Sequence, residues 1–383
     1  MARRETEPFQ PFRPTAADLA AIAKDVAPVH DVQQELLEHH PGLHVPDRVA
    51  HQYQIAGSKV ILRIAGELPA ELSGIGLFEP GAEHIGIGRI STGQGGPHHE
   101  ANPDFLGVML AFQTPAGRRV DFIAINSPTS PTDDHHAFME VLQATGESAG
   151  ARNLVAQQAE FGKELVQNMG VIKGVKTLAH IGHQTSPTTF SSTAYQTYWT
   201  GIVEVGESVA KFALVPVRHE NHHLSFSLGE HHFTEEWKRR QAAGDVELDL
   251  FYIPFSNERE TSTQRLTDRW DEEPKEKVGR VTFPQADLAS EEAMLWAALA
   301  SEMGANPGNW VHNRDGSGAE PATQFGVARK IAYGISQAGR NALAPESYQA
   351  VFTTGRIDPE LAQELRRRRE EKERLGHVSW APG

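Results

Sequence analysis

The sequence predicts an α+β fold built on an antiparallel barrel of eight strands, with helices inserted into it and following it. Three observations carry this expectation. Short apolar runs of strand composition come in two sets of four, at residues 59–64, 85–91, 106–113 and 119–125, then at 195–205, 210–217, 246–253 and 278–283. The link Thr114-Pro-Ala-Gly-Arg-Arg119 has the residues of a hairpin turn, so its flanking strands run antiparallel. Helical stretches at 134–145 and 153–169 separate the two sets rather than alternating with strands, which is a barrel's pattern and not that of βαβ units.

The remaining elements follow in order. Residues 1–52 read as an N-terminal arm, with a short helix at 15–24 and then His- and Pro-rich connectors. Residues 53–285 hold the barrel, and 286–383 a helical part with helices near 290–303, 324–341 and 359–375. The pairs Gly74/Gly76 and Gly86/Gly88 precede no helix in a G-x-G-x-x-G frame and read as turns and barrel corners. The dense charges of residues 364–374 read as a solvated helix surface.

Composition narrows the chemistry. A formal net charge of −14 argues against general nucleic-acid or anionic-membrane binding. Cys is absent, which excludes disulfides, thiolate catalysis, zinc–thiolate sites and thiolate-ligated haem. The first residues lack the apolar core of a signal peptide, and no apolar run is long enough to span a membrane, so the expected location is cytoplasmic.

Two motifs carry possible site chemistry. His219-Glu-Asn-His-His223 fits the H-E-x-x-H pattern, but it runs on from a strand, whereas that zinc chemistry needs both histidines on one helix face; it reads as a His-rich loop. The pairs His98-His99, His135-His136 and His231-His232 read as ordinary surface pairs. More informative is the run from Gln324 to Arg340. Offsets of four and eleven place Arg329, Tyr333 and Arg340 on one helix face. A phenol one turn from a guanidinium has its anion stabilised. Tyrosinate is one of the few protein ligands used for haem iron, and the second arginine could reach an anion. On this stretch alone, a helix with scattered arginines and a core tyrosine is the plainer reading.

Elsewhere the chain resembles the haem catalases. Val45-Pro-Asp-Arg48-Val-Ala-His51 is similar to their distal-histidine segment, with an arginine three residues before the histidine. Gly88-Arg89-Ile-Ser91-Thr92 looks like their Val-Arg-Phe-Ser-Thr strand, and Asp121-Phe-Ile-Ala-Ile-Asn126-Ser-Pro128 like the stretch with the distal asparagine. Phe138 falls where the family has an aromatic over the haem, and Arg329-x-x-x-Tyr333 with Arg340 matches the proximal tyrosine helix. The motifs keep the family's order over residues 45–342, with weaker echoes at Tyr198-Trp-Thr-Gly201 and Leu266-Thr-Asp-Arg-Trp270.

There are departures. The family's Asp-Pro-Arg-Gly element is Pro103-Asp-Phe-Leu-Gly107 here, without its arginine. Gln52-Tyr-Gln54 replaces the small residues after the histidine, and Gly334-Ile-Ser336 replaces Pro-Asp-Thr. The large C-terminal additions of typical members are not expected after Arg340. The chain is thus most similar to small, divergent catalase-related proteins.

The resemblance implies haem b between the barrel and the C-terminal helix, with Tyr333 as its iron ligand and Arg329 beside it. It implies Arg48, Arg89 and Arg340 on the propionates, and His51, Asn126 and Ser91 as the peroxide-handling set, with Phe138 stacked near the ring. The implied activity is catalase or peroxidase chemistry on hydrogen peroxide or an organic hydroperoxide, in a homo-oligomer (dimer or tetramer). The altered segment after His51 keeps open a hydroperoxide dehydratase or rearrangement enzyme of the allene-oxide-synthase kind. A non-enzymatic haem-binding module is the third reading.

Overall fold

A computed structural model describes residues 9–39, 45–93, 100, 104–151, 154–185, 193–217, 229, 231–270, 276–318 and 321–375. The His219–His223 run and the His98-His99 pair lie outside the described residues. Nine strands form one antiparallel sheet: β1 (Gln54–Ile64), β2 (Glu83–Thr92), β3 (Leu106–Gln113), β4 (Arg119–Ile125), β5 (Tyr198–Thr200), β6 (Val203–Val205), β7 (Ser208–Pro216), β8 (Val246–Pro254) and β9 (Glu276–Phe283). The order is β5-β4-β3-β2-β1-β9-β8-β7-β6, and a further β5–β7 pairing closes a ring of eight. The expected barrel is present, with one run divided. The stretch read as a strand at 195–205 is split at Gly201–Ile202 into β5, which closes the ring, and β6, a short hairpin partner of β7.

Period-two alternation decides which side chains fill the barrel. Val60 and Leu62 of β1, Ile90 of β2, Val108 and Leu110 of β3, Phe122 and Ala124 of β4 and Phe212 of β7 pack inside it. Phe122 and Phe212 meet edge to face at 5.6 Å. The opposite parity of the same strands faces outward, and the helices cover it.

The covering helices are α1 (Ala16–Val26), α2 (Val29–His39), α3 (His135–Ser148), α4 (Leu154–Met169), α5 (Val171–Thr185), α6 (His232–Ala243), α7 (Glu291–Glu302), α8 (Gln324–Gly339), α9 (Val351–Thr354) and α10 (Pro359–Arg374). Among the described residues, none is long and apolar enough to cross a membrane. Helix α2 occupies the segment read as connectors. Pro28 sits just before its first residue, where a missing N–H costs nothing, and Val32 and Leu36 are buried. Ile22, Val26 and Val29 join Met139 and Leu142 of α3 and Val327, Ala328 and Ala332 of α8 in one cluster, so α8 is held from the N-terminal side.

Helix α7 lies unusually close to β1, because a Cβ at Gly57 would come within 2.8 Å of Ala297 and Ala300. That approach brings the C-terminal carbonyls of α7 to the barrel wall. Glu302, at the same end, is buried and paired with Lys372 and Arg368 of α10, which fastens the last helix to it.

Candidate active site

One cavity of about 780 Å³ lies between the outer barrel wall and helices α3, α4, α5 and α8. Register explains its barrel side. Arg89 of β2 pairs with Met109, and Met109 with Ile123. One step along, Ser91 pairs with Gly107, Gly107 with Ile125, and Ile125 with Trp199. All seven line the cavity, as outward-facing rows of the wall.

His51 precedes β1 and stands over the second row. Its backbone takes the left-handed conformation, φ 57°, uncommon for a residue with a Cβ, and its N–H is held by the Gly93 carbonyl at 2.9 Å. The ring Nδ1 lies 3.2 Å from the Ser91 Oγ. Asp104 braces this corner by accepting the N–H groups of Gly93 and Phe105. Gly107 makes room for the ring, since a Cβ there would lie 2.6 Å from the imidazole. A Gly107→Ala variant is expected to push His51 off Ser91 and to cost about 1–3 kcal/mol of stability. A shift in denaturation midpoint measures the second effect, and an unshifted midpoint would show that the contact is absorbed elsewhere.

Burial pushes the His51 imidazole down from 6.5 to about 4, opposed by Asp104 and reinforced by Arg89. The ring is therefore neutral at physiological pH. The unfolded chain takes up this proton near the ordinary value and the folded chain only near 4, so between those values acid favours unfolding. Stability is expected to fall as pH drops through that window, by at most about 3 kcal/mol from this group. Denaturant titrations at stepped pH read the slope, and the slope should diminish in His51→Gln.

The opposite wall comes from α8. Arg329, Tyr333 and Arg340 all line the cavity, as their spacing predicts; Arg340 caps the helix C-terminus. The Arg329 guanidinium lies 5.6 Å from the centre of the Tyr333 ring. Gly201, at the break between β5 and β6, leaves the space that Arg329 fills. Phe138 of α3 also lines the cavity and meets Phe325 edge to face at 5.4 Å.

At one end three arginines meet. Arg48 donates to the Ser301 carbonyl at 2.7 Å and Arg340 to that of Met303 at 2.6 Å, at the C-terminal end of α7. Arg89 donates to the carbonyls of His51 and Gln52 and to Gln54. Burial and then the neighbouring Arg48 lower the Arg340 guanidinium to about 9 and press Arg89 well below its usual range. Arg48 Nη1 and Arg340 Nε are buried without a hydrogen-bond partner. The buried Asp47 carboxylate, 3.6 Å from Arg48 Nη1, offsets one of these charges, and the net positive charge that remains suits an anion, whose carboxylates match guanidinium geometry.

Asn126 departs from the expectation. Its Oδ1 accepts the Leu106 N–H at 2.8 Å, and it does not line the cavity, whereas Ile125 and Ser127 do. Ile123 and Ile125 share the outward face of β4, and just past the strand's end the Asn126 side chain turns onto the Leu106 backbone. The position beside the Ser91–Gly107 pair is aliphatic. Of the nine residues singled out in the sequence, eight line one cavity and Asn126 is apart from it. Lys211 of β7, which sequence reasoning passed over, lines it too; its signal is a lone lysine among apolar strand residues.

With this geometry in place, three solved structures share the architecture. A fungal catalase is 16% identical with a TM-score of 0.61, over 81% of this chain and 61% of that one. Catalase A from Saccharomyces cerevisiae is 13% identical with a TM-score of 0.60, over 83% and 66%. A bacterial catalase is 19% identical with a TM-score of 0.58, over 82% and 60%. This chain thus spans less than two thirds of the length of each. No protein-family model matches the sequence, and no curated protein matches it. The protein has a catalase-like fold: a closed eight-stranded antiparallel barrel with added helices, in a divergent sequence.

Proposed function

We propose that the protein is a haem-dependent enzyme whose oxidising substrate is a peroxide. One observation carries this reading: a neutral imidazole and a tyrosine–arginine helix face share a cavity that ends in three arginines, two of them with a donor that makes no hydrogen bond, around the buried carboxylate of Asp47. Arg48, Arg89 and Arg340 would hold the haem carboxylates. Tyr333 would supply the iron ligand, with the Arg329 guanidinium over its ring. When bound, haem supplies the redox iron that peroxide chemistry requires.

The chain's own residues do the rest. His51, neutral at its ring, accepts the proton of a peroxide O–H and returns it to the departing oxygen. Ser91 orients the imidazole through Nδ1. Met109, Ile123, Ile125 and Phe138 keep water from the wall. Reconstitution with haem should give a Soret band, and addition of peroxide should change the spectrum and consume peroxide. Absence of the band refutes the reading.

Ile125 favours an organic hydroperoxide, and with it the dehydratase or rearrangement variant, over hydrogen peroxide. An aliphatic side chain beside His51 offers no hydrogen bond to a small polar peroxide, but it packs against a carbon chain. Oxygen evolution from hydrogen peroxide without turnover of a lipid hydroperoxide would overturn this preference.

A further inference from the structure

Lys211 is a cation that the arrangement above does not use. On β7, Phe212 and Leu214 point into the barrel core, while Val209 and Ala213 lie outside with Trp270 and Ile253; Lys211 shares that outer parity. Only 5% of it is exposed, yet it lines the same cavity as His51 and Tyr333. Its Nζ donates to the Pro128 carbonyl at 3.3 Å and stands 5.0 Å from the centre of the Trp270 ring. Among the described residues it has no carboxylate partner, and its remaining N–H donors have no acceptor. Burial alone lowers the amine, to about 8, so it is still mostly protonated at pH 7. A buried ammonium without a counter-charge is costly, and the cost is recovered when an anion binds.

The surroundings say which anion. Residues 128–130 connect Lys211 to α5: Gln184 Nε2 donates to Thr129 Oγ1 at 2.7 Å, and the His180 ring Nε2 lies 3.1 Å from the Ser130 carbonyl. Phe161 of α4 and Ile181 of α5 line the cavity, with Leu178 of α5 at its solvent-facing rim (37% exposed), and Leu266 adds to this wall. The lysine lies on β7, four places round the ring of eight strands from β2, which carries Arg89. A single ammonium matches a monoanion, and an apolar wall matches a hydrocarbon chain. A group with two or more charges would be only partly neutralised there.

We propose that Lys211 anchors the carboxylate of an amphiphilic organic acid, with its chain along the wall formed by Phe161, Leu178 and Ile181. Resting on the reading of the site as a peroxide enzyme, this makes the substrate a carboxylic-acid hydroperoxide. Anchored at its acid end, such a molecule is held at one fixed distance from His51, so the lysine selects which carbon carries the reacting group.

The test uses two probes that cannot react, octanoate and 1-octanol, titrated calorimetrically into the protein at pH 7. Octanoate should bind about tenfold more tightly than octanol, the advantage of a charge-assisted hydrogen bond. Lys211→Met should bring the two to parity, and Lys211→Arg should keep the preference. Octanoate should also alter tryptophan fluorescence, a signal lost in Trp270→Phe. Equal binding of the two probes by the unmodified protein, or an undiminished preference in Lys211→Met, overturns the proposal. If Lys211→Met does not fold, Lys211→Gln takes its place. Selective octanoate binding without peroxide turnover would keep the anchor and refute the enzyme reading. Turnover of cumene hydroperoxide with no octanoate preference would do the reverse.

Discussion

Tyr333→Phe is expected to abolish tight haem binding and to reduce peroxide turnover by more than the ~10–100-fold that loss of an outer-shell partner costs a metal site. The substitution removes one oxygen and leaves the ring, so packing of α8 against α1 and α3 through Val327, Ala328 and Ala332 stays intact. The Arg329 guanidinium keeps its aromatic neighbour at 5.6 Å. The three arginines still attract the carboxylates, so residual binding should persist with an altered absorption spectrum. Haem titration followed in the Soret region checks both points. A Phe variant with the original spectrum and affinity would show that Tyr333 is a core residue on a helix.

His51→Gln is expected to have the second large effect, on the reaction and not on binding. Loss of a positioned proton acceptor costs about 10²–10⁴-fold in the proton-transfer step. The Soret spectrum should be unchanged, because the residue is on the opposite wall from Tyr333. The pH profile adds a second signature. With the imidazole lowered to about 4, the neutral acceptor form dominates above that value. The rate with the unmodified protein should therefore be flat from neutrality down to about pH 5 and should fall as the ring protonates near 4. His51→Gln should lack that acidic limb. Full turnover by the Gln variant would remove His51 from the mechanism and leave the haem a spectator.

Much of the fold was legible because the signals for it are local. The four strands from β1 to β4 and the helices α3, α4, α7, α8 and α10 were placed within a few residues, since alternation and helical periodicity depend only on neighbours in sequence. Helices α2, α5 and α6 were passed over for a related reason. β-Branched residues and glycines weaken the intrinsic propensity of α5, and histidines and Asp31 that of α2, whereas α6 is rich in good helix formers but follows directly on a His-rich run. Burial of Val32 and Leu36 fixes α2, and that of Phe233 and Trp237 fixes α6. The division of one run into β5 and β6 depends on β7, which pairs with both and is distant from neither end of the break.

The candidate site divides along the same line. The sequence alone determined the helical face bearing Arg329, Tyr333 and Arg340, and the order of the segments bearing Arg48, His51, Arg89 and Ser91. Spacing along one element is a matter of backbone geometry. Only the tertiary structure decided that Ile125 and not Asn126 faces the cavity, because Asn126, past the end of β4, is held by the Leu106 N–H of the neighbouring strand. Only it brought Lys211 to the same space, across the loop of Pro128, from a strand that reads as uniformly buried. A chain's own periodicity says which residues share a face; what that face looks at is settled by pairings hundreds of residues apart, such as Arg48 with the carbonyl of Ser301.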